Sequence, residues 1–432
     1  MVSSWVCPVD LNIPAVMEMR DLLADECGGA QRLIVAALGV CHPNHQISPS
    51  LLLKPYSSSL SPKMHISSFL AGTAAFTVGA AARSSLYVEN APDHVRPYVI
   101  ERYSNAQAVA VGQQIYRFPV TGASSGGAFS ILMTSSPGSD ALGVLPHIHK
   151  AHYENFFCSK GRYQLWTNKY GDEEARVMLP GDYGAVPRNT THTFQVLDPD
   201  TEMLGVIQPG GFEALFFAIA DSNYTSETSS PYVPSAASGS ADAGAGSSSS
   251  MISALESFDV FAQLDFNPRR DLVNGSAPAN ATWHTGKNTV PSNSNTPFYV
   301  AKNQGPMWLN SEHGYQIIAP FITPTQGDGK FSEGTITIDR KLSNITTPVR
   351  HFADHLAFEV LEGALQVNLK NETVQLLQGD VVFVPGNTTF SYWSEVAFTK
   401  FLYVCAGNKG LDVELMDKAV AWEYPTWPTY AV

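Results

Sequence analysis

The stretch Gly143-Val-Leu-Pro-His-Ile-His-Lys-Ala-His-Tyr-Glu-Asn-Phe-Phe-Cys-Ser-Lys-Gly161 decides how this chain reads. His147 and His149 stand two apart, and residues i and i+2 of a β-strand share a face. Glu154 follows, and a fourth donor, His192, ends a second stretch, Gly181-Asp-Tyr-Gly-Ala-Val-Pro-Arg-Asn-Thr-Thr-His192. One His-x-His alone is an ordinary strand pattern. Joined to Glu154, Gly161 and the Gly181…Pro187…His192 block, it describes a metal site with ligands His147, His149, Glu154 and His192. Three imidazoles and a carboxylate accept Cu, Fe, Mn, Ni or Co, and the stability order favours copper. Glu154 has the wrong parity to share a straight strand face with His149, so a bend over 150–153 must reset the phase. His152 falls in that bend and reads as a surface or supporting residue.

With the phase reset, Phe156 shares the face of Glu154, and Phe194 shares the face of His192. A later strand offers Met203, Gly205 and Ile207 on one face, followed by Phe212. Around a metal, these residues describe an apolar slot suited to a flat aromatic ligand.

Outward from this stretch, the chain from Leu86 consists of short β-branched and aromatic runs broken by Gly, Pro, Asn and Asp. Gln114-Ile-Tyr-Arg-Phe-Pro-Val and Glu202-Met-Leu-Gly-Val-Ile are examples. That spacing predicts an all-β sandwich or barrel. Composition collapses into Ser, Ala and Gly over 222–254, which reads as a linker. The expected organisation is an N-terminal barrel over 83–221 and a second over 255–432. The second half repeats the first: Gly379-Asp-Val-Val-Phe-Val-Pro-Gly-Asn-Thr-Thr-Phe390 aligns without a gap to 181–192. Counting back from Gly363 sets Val349, His351 and Leu356 against His147, His149 and Glu154. The second copy then keeps one ligand of four, too few for a metal, and His351 and His355 read as structural.

Residues 1–63 lack a sustained period. Lys63 opens a run, Phe69 to Ala82, that ends in an Ala-x-Ala pattern and resembles a secretory signal peptide over 64–82. The expectation is translation from Met64 and a secreted product beginning near Arg83. Seven glycosylation sequons follow, at Asn189, Asn223, Asn274, Asn280, Asn344, Asn371 and Asn387. The net charge of −13 argues against nucleic acid or an anionic membrane as partner. The five cysteines are too few for a disulfide framework, and Cys158 and Cys405 are expected as buried thiols.

The His-x-His…Glu…Gly and Gly…Pro…His spacings are the cupin signature. Ala141 and Asn189 stand where that signature usually has glycine. More specifically, Tyr87-Val-Glu-Asn-Ala-Pro-Asp-His-Val-Arg-Pro-Tyr, Asp140-Ala-Leu-Gly, Asp198-Pro-Asp-Thr-Glu-Met, Pro209-Gly-Gly-Phe-Glu and Trp283-His-Thr-Gly resemble the fungal quercetin 2,3-dioxygenases. The likeness covers roughly 86–420. It implies two jelly-roll-like cupin barrels, a secreted glycosylated homodimer, and one copper per chain in the N-terminal barrel. It also implies a flavonol pocket at Tyr116, Thr134, Phe156, Phe194, Met203, Ile207 and Phe212, with Leu132 where the family has a methionine. Quercetin and O2 would be the substrates. Glu154 would act as general base, its pKa raised by the apolar pocket, and ring cleavage would release carbon monoxide and a depside. The alternatives are an oxalate-degrading bicupin with manganese and a non-catalytic storage-type bicupin. The aromatic pocket and the single surviving site disfavour the first. The complete ligand set disfavours the second.

Overall fold

Alternating apolar residues with turn formers at the breaks give strands and only short helices. The computed structural model describes residues 84–102, 106–225, 249–269, 288–424 and 426–428. The expectations for 1–63, for the signal-like run and for Asn274 and Asn280 lie outside them, as does most of the expected linker. The predicted runs become the strands Gln114–Val120, Ser130–Ser136, Tyr163–Lys169, Thr191–Val196 and Thr201–Gln208. The described helices, such as Glu213–Ile219 and Ser249–Leu255, are short. The all-β expectation holds.

The described strands form sheets of nine, eight, five and four. The eight- and five-stranded sheets close over Phe156, Leu165, Phe194 and Met203 to make the first barrel. The nine- and four-stranded sheets close over Phe358, Leu365, Phe390 and Phe401 to make the second. Segments cross the boundary expected from composition. Tyr98–Ile100 pairs with Val381–Val384 of the second barrel. Phe298–Val300 pairs with Tyr183–Val186 of the first. Phe261–Ala262 pairs with His147–Ile148, beside the ligands. The ends of the expected linker are ordered too: Ser222–Tyr224 adds a strand to Ala108–Val111, and Ser249–Leu255 is helical. A shared core joins the barrels, with Tyr183 and Phe321 stacked at 4.4 Å.

The second barrel corrects the count made from sequence. In the first, His192 lies opposite His147, and the Asn189 N–H donates to the His149 carbonyl at 2.6 Å. In the second, Phe390 lies opposite Arg350, and the Asn387 N–H donates to the Phe352 carbonyl at 2.7 Å. Asn189 and Asn387 share a left-handed φ, 58° and 61°. Glu154 faces Val186, as Leu356 faces Val384. The equivalents of the four ligands are therefore Arg350, Phe352, Leu356 and Phe390. The second barrel keeps none of them, and His351 is exposed. Its bend is one residue shorter, which a gapless count cannot register. His355 is structural as expected, its Nδ1 accepting the Gly386 N–H at 2.8 Å.

Cys158 and Cys405 are buried free thiols, as expected. One buried acid carries a stability prediction. Glu333 is fully buried at the shared core; Tyr183 donates to its Oε2 at 3.3 Å, and its Oε1 has no partner. Burial pushes its carboxyl well above the usual range, against the opposing hydrogen bond from Tyr183. Such an acid is neutral in both states at low pH. Above its ordinary value of 4.5 the unfolded chain ionises while the fold does not, so stability falls as pH rises. Glu333→Gln should raise stability at pH 8 by about 1–3 kcal/mol, because each pH unit over which only the unfolded chain is ionised costs the parent about 1.4 kcal/mol. The gain should vanish at pH 4. Thermal unfolding of both proteins at the two pH values checks this.

Candidate metal centre and cavity

Strand pairing sets the ligands. His147 and His192 are directly opposed on neighbouring strands, and the chain then turns a corner between sheets, from His147–Ile148 to Tyr153–Lys160. That corner is the predicted bend. It is built around Asp259, whose carboxylate accepts the N–H groups of Lys150, Ala151 and His152 at 3.0, 2.8 and 2.9 Å. The same carboxylate contacts His152 Nδ1 at 2.8 Å, so His152 supports the corner and lies outside the ligand cluster.

The four donors converge, all ligand atoms lying within 4.8 Å of one another. Each histidine turns Nδ1 to a main-chain carbonyl: His147 to Leu145 at 2.7 Å, His149 to Asp259 at 2.8 Å, His192 to Thr190 at 3.0 Å. A carbonyl only accepts, so each Nδ1 carries the hydrogen, and in the neutral ring that binds a metal each Nε2 presents a lone pair. His147 Nε2 then faces His149 Nε2 at 3.2 Å, while Glu154 Oε2 stands 3.1 Å from His149 Nε2 and 2.9 Å from His192 Nε2. Lone pairs so close repel unless a proton or a metal cation lies among them. Three neutral imidazoles with fixed tautomers and one carboxylate fit a divalent metal.

The electrostatics of His147 and Glu154 suit metal ligands, and those of His149 oppose that role. Burial, then the neighbouring His192 and His149, hold His147 well below the usual range, as a neutral ligand requires. Burial lowers His149 too, but the adjacent Glu154 wins and raises it. For Glu154 the sequence-based expectation is overturned. Burial does push its carboxyl up, but His149 and His192 beside it outweigh burial and hold it below the ordinary carboxylate range. It is a carboxylate kept ionised by its neighbours.

A cavity of about 620 Å³ opens over Glu154 and His147, lined by Tyr116, Thr134, Phe156, Phe194, Met203 and Phe212. The Phe156 and Phe194 rings lie 6.2 Å apart, and Phe212 stands edge-on to His149 at 4.9 Å. Leu132 also lines it, in room left by the missing side chain of Gly205. Ile207 departs from the expectation. It is fully buried, packs with Tyr116, Leu132 and Phe212, and does not line the cavity. The glycine absent at 141 is supplied by Gly143, where a Cβ would fall 2.2 Å from the Phe194 ring. Sequence reasoning missed Asp259, Gln114 (which accepts from the Tyr116 hydroxyl at 2.8 Å) and the roof residues Leu255 and Val260. No local motif marks any of them.

No protein-family model matches the chain. Over 348 residues it is 51% identical to a quercetin 2,3-dioxygenase of Aspergillus japonicus, a match covering 80% of this chain and 99% of that protein. The chain belongs to the quercetin 2,3-dioxygenase family. A Bacillus subtilis (strain 168) quercetin 2,3-dioxygenase is 22% identical over 322 residues, covering 74% of this chain and 85% of that one. The oxalate decarboxylase of Lactobacillus farciminis, solved as a formate complex, aligns at TM-score 0.43 with 16% identity, over 72% of this chain and 86% of that one. That likeness is too weak to bear on activity. As a quercetin 2,3-dioxygenase family member, the chain is a metal-binding, O2-incorporating enzyme with the all-β fold of a bicupin. No helix among the described residues is long and apolar enough to cross a membrane.

Proposed function

We propose that this chain opens the heterocyclic ring of quercetin-type flavonols with O2, using one copper ion, and releases carbon monoxide and a depside. The observation that carries this reading is the convergence of three histidine Nε2 atoms with Glu154, of which His147 and Glu154 line a cavity walled by flat aromatic rings. His147, His149, His192 and Glu154 would hold the metal. When bound, the copper supplies a Lewis acid for the substrate 3-hydroxyl and a one-electron partner for the ring. Phe156, Phe194 and Phe212 clamp the fused rings and exclude water, which fixes the hydroxyl over Glu154. Glu154, the carboxylate that lines the floor beside the histidines, takes the hydroxyl proton on Oε. Tyr116, held by Gln114, offers a polar contact at the side of the slot. The test is to mix the metal-analysed protein with quercetin under O2. Loss of the flavonol absorption with one CO per flavonol consumed is the expected result; loss without CO would sink the reading. A non-aromatic dianion such as oxalate should not be turned over.

Secretion, glycosylation and dimerisation belong to the same proposal. The five described sequons, Asn189, Asn223, Asn344, Asn371 and Asn387, are all exposed, as glycan acceptors must be. N-terminal sequencing of the native protein should begin near Arg83, and sedimentation should give twice the chain mass.

A further inference from the structure

We propose that the mouth of the second barrel is a binding site for a small carboxylate. The register places Arg350 where the first barrel has His147, since each lies opposite the equivalent residue of the facing strand, Phe390 or His192. A guanidinium thus occupies a metal ligand's position. The interior that forms the large cavity in the first barrel is filled here. Ile336 and Phe401 are paired as Thr134 and Met203 are, and Ile318 stands at the place of Tyr116. The cavity shrinks from about 620 to about 40 Å³ and moves to the rim, lined by Arg350, Tyr392, Trp393, Thr347, Arg340 and Lys341.

Two observations point to an anionic occupant. Arg350 is 6% exposed, yet its Nε has no hydrogen-bond partner, and neither has the buried Oγ1 of Thr347. Buried donors left unmatched disfavour the fold unless an acceptor reaches them. The second is charge. Arg340, Lys341 and Arg350 face the cavity, and against them stand Asp339 in the wall and Glu414, which pairs with Arg350. The balance is one positive charge, which suits a monoanion. His313 also lines the cavity, its ring 3.8 Å from Glu312, which Lys418 holds. The planar guanidinium matches a carboxylate in shape, and a cavity of this size holds a head group of a few heavy atoms. Lys341 also stands 5.4 Å over the Trp393 ring, which gives the rim an apolar side for whatever the carboxylate is attached to.

The test is a calorimetric titration of the metal-loaded protein with sodium acetate, and separately with inorganic phosphate, at constant ionic strength. Saturable one-to-one acetate binding, tighter than phosphate, is expected. Affinity should fall by about tenfold or more in the Arg340→Ala/Lys341→Ala pair and in Arg350→Gln. Flavonol turnover of the rim pair should equal that of the parent. Arg350→Gln risks the fold because Glu414 loses its partner, so the exposed rim pair is the deciding variant. Acetate binding that does not saturate overturns the proposal, since solvent then fills the cavity. Binding unchanged in the rim pair also overturns it, because the anion would then sit on the first barrel's metal. Phosphate binding tighter than acetate would overturn the assignment to carboxylates.

Discussion

Glu154→Gln should lower flavonol turnover by about 10²–10⁴-fold, the range expected when a general base is removed, while most of the bound metal stays. Retention follows from the way the histidines are fixed. His147, His149 and His192 each donate Nδ1–H to a main-chain carbonyl that the substitution does not touch, so three Nε2 lone pairs still converge. An amide oxygen can remain beside the metal, but it cannot take a proton at any working pH. The partition between turnover and metal content is therefore the informative quantity. Steady-state flavonol loss and metal content after desalting should be measured on the same sample. Turnover within about tenfold of the parent would remove Glu154 as the base. Parallel loss of metal and turnover would make it a ligand and nothing more. In the proposed role, Glu154 acts through its position on the cavity wall beside His147, under the substrate hydroxyl.

The four converging donors were legible because chemistry constrains such a cluster twice. Metal binding demands particular side chains, and strand parity demands their spacing. The corner at 150–152 was legible for the same reason, since Glu154 could not otherwise face inward. Phe156 and Phe194 followed from parity, as did Met203 and Gly205. Ile207 has the right parity as well, yet Phe212 and Tyr116 pack against it, and parity says nothing about what covers a strand's end. The equivalence of His351 with His149 failed for a related reason. Loop length between matching blocks is free to change, and only hydrogen-bond register shows that the second bend is a residue shorter. Composition put the break between the halves at 222–254, but the strands Tyr98–Ile100 and Phe298–Val300 each pair with the other half's sheet. Such exchanges are fixed by tertiary pairing and leave no local mark.

Asp259 is the residue the sequence hid most completely, and its removal should have the second large effect. It lies 110 residues from His149, in Glu256-Ser-Phe-Asp with no motif around it, and adopts a left-handed φ of 64°. One residue does two things there. Its carbonyl fixes the His149 tautomer, and its carboxylate gathers three consecutive N–H groups of the corner that carries the chain from His149 to Glu154. Asp259→Ala leaves those N–H groups to solvent and frees the corner, so His149 and Glu154 no longer hold a common focus. Loss of such a supporting partner typically costs about 10–100-fold in metal affinity, and that is the expected outcome. Asp259→Asn keeps one acceptor oxygen and should fall between the two. Burial raises the Asp259 carboxyl, but His152 and the main-chain N–H groups outweigh this and hold it below its ordinary value of 3.8. The stability it contributes is therefore present above that value and lost as pH falls through the lowered one. Metal dissociation measured against a chelator separates this role from a general loss of fold. If Asp259 positions ligands, excess metal restores much of the turnover of Asp259→Ala. If the substitution merely weakens the fold, added metal leaves turnover low while the unfolding temperature stays depressed.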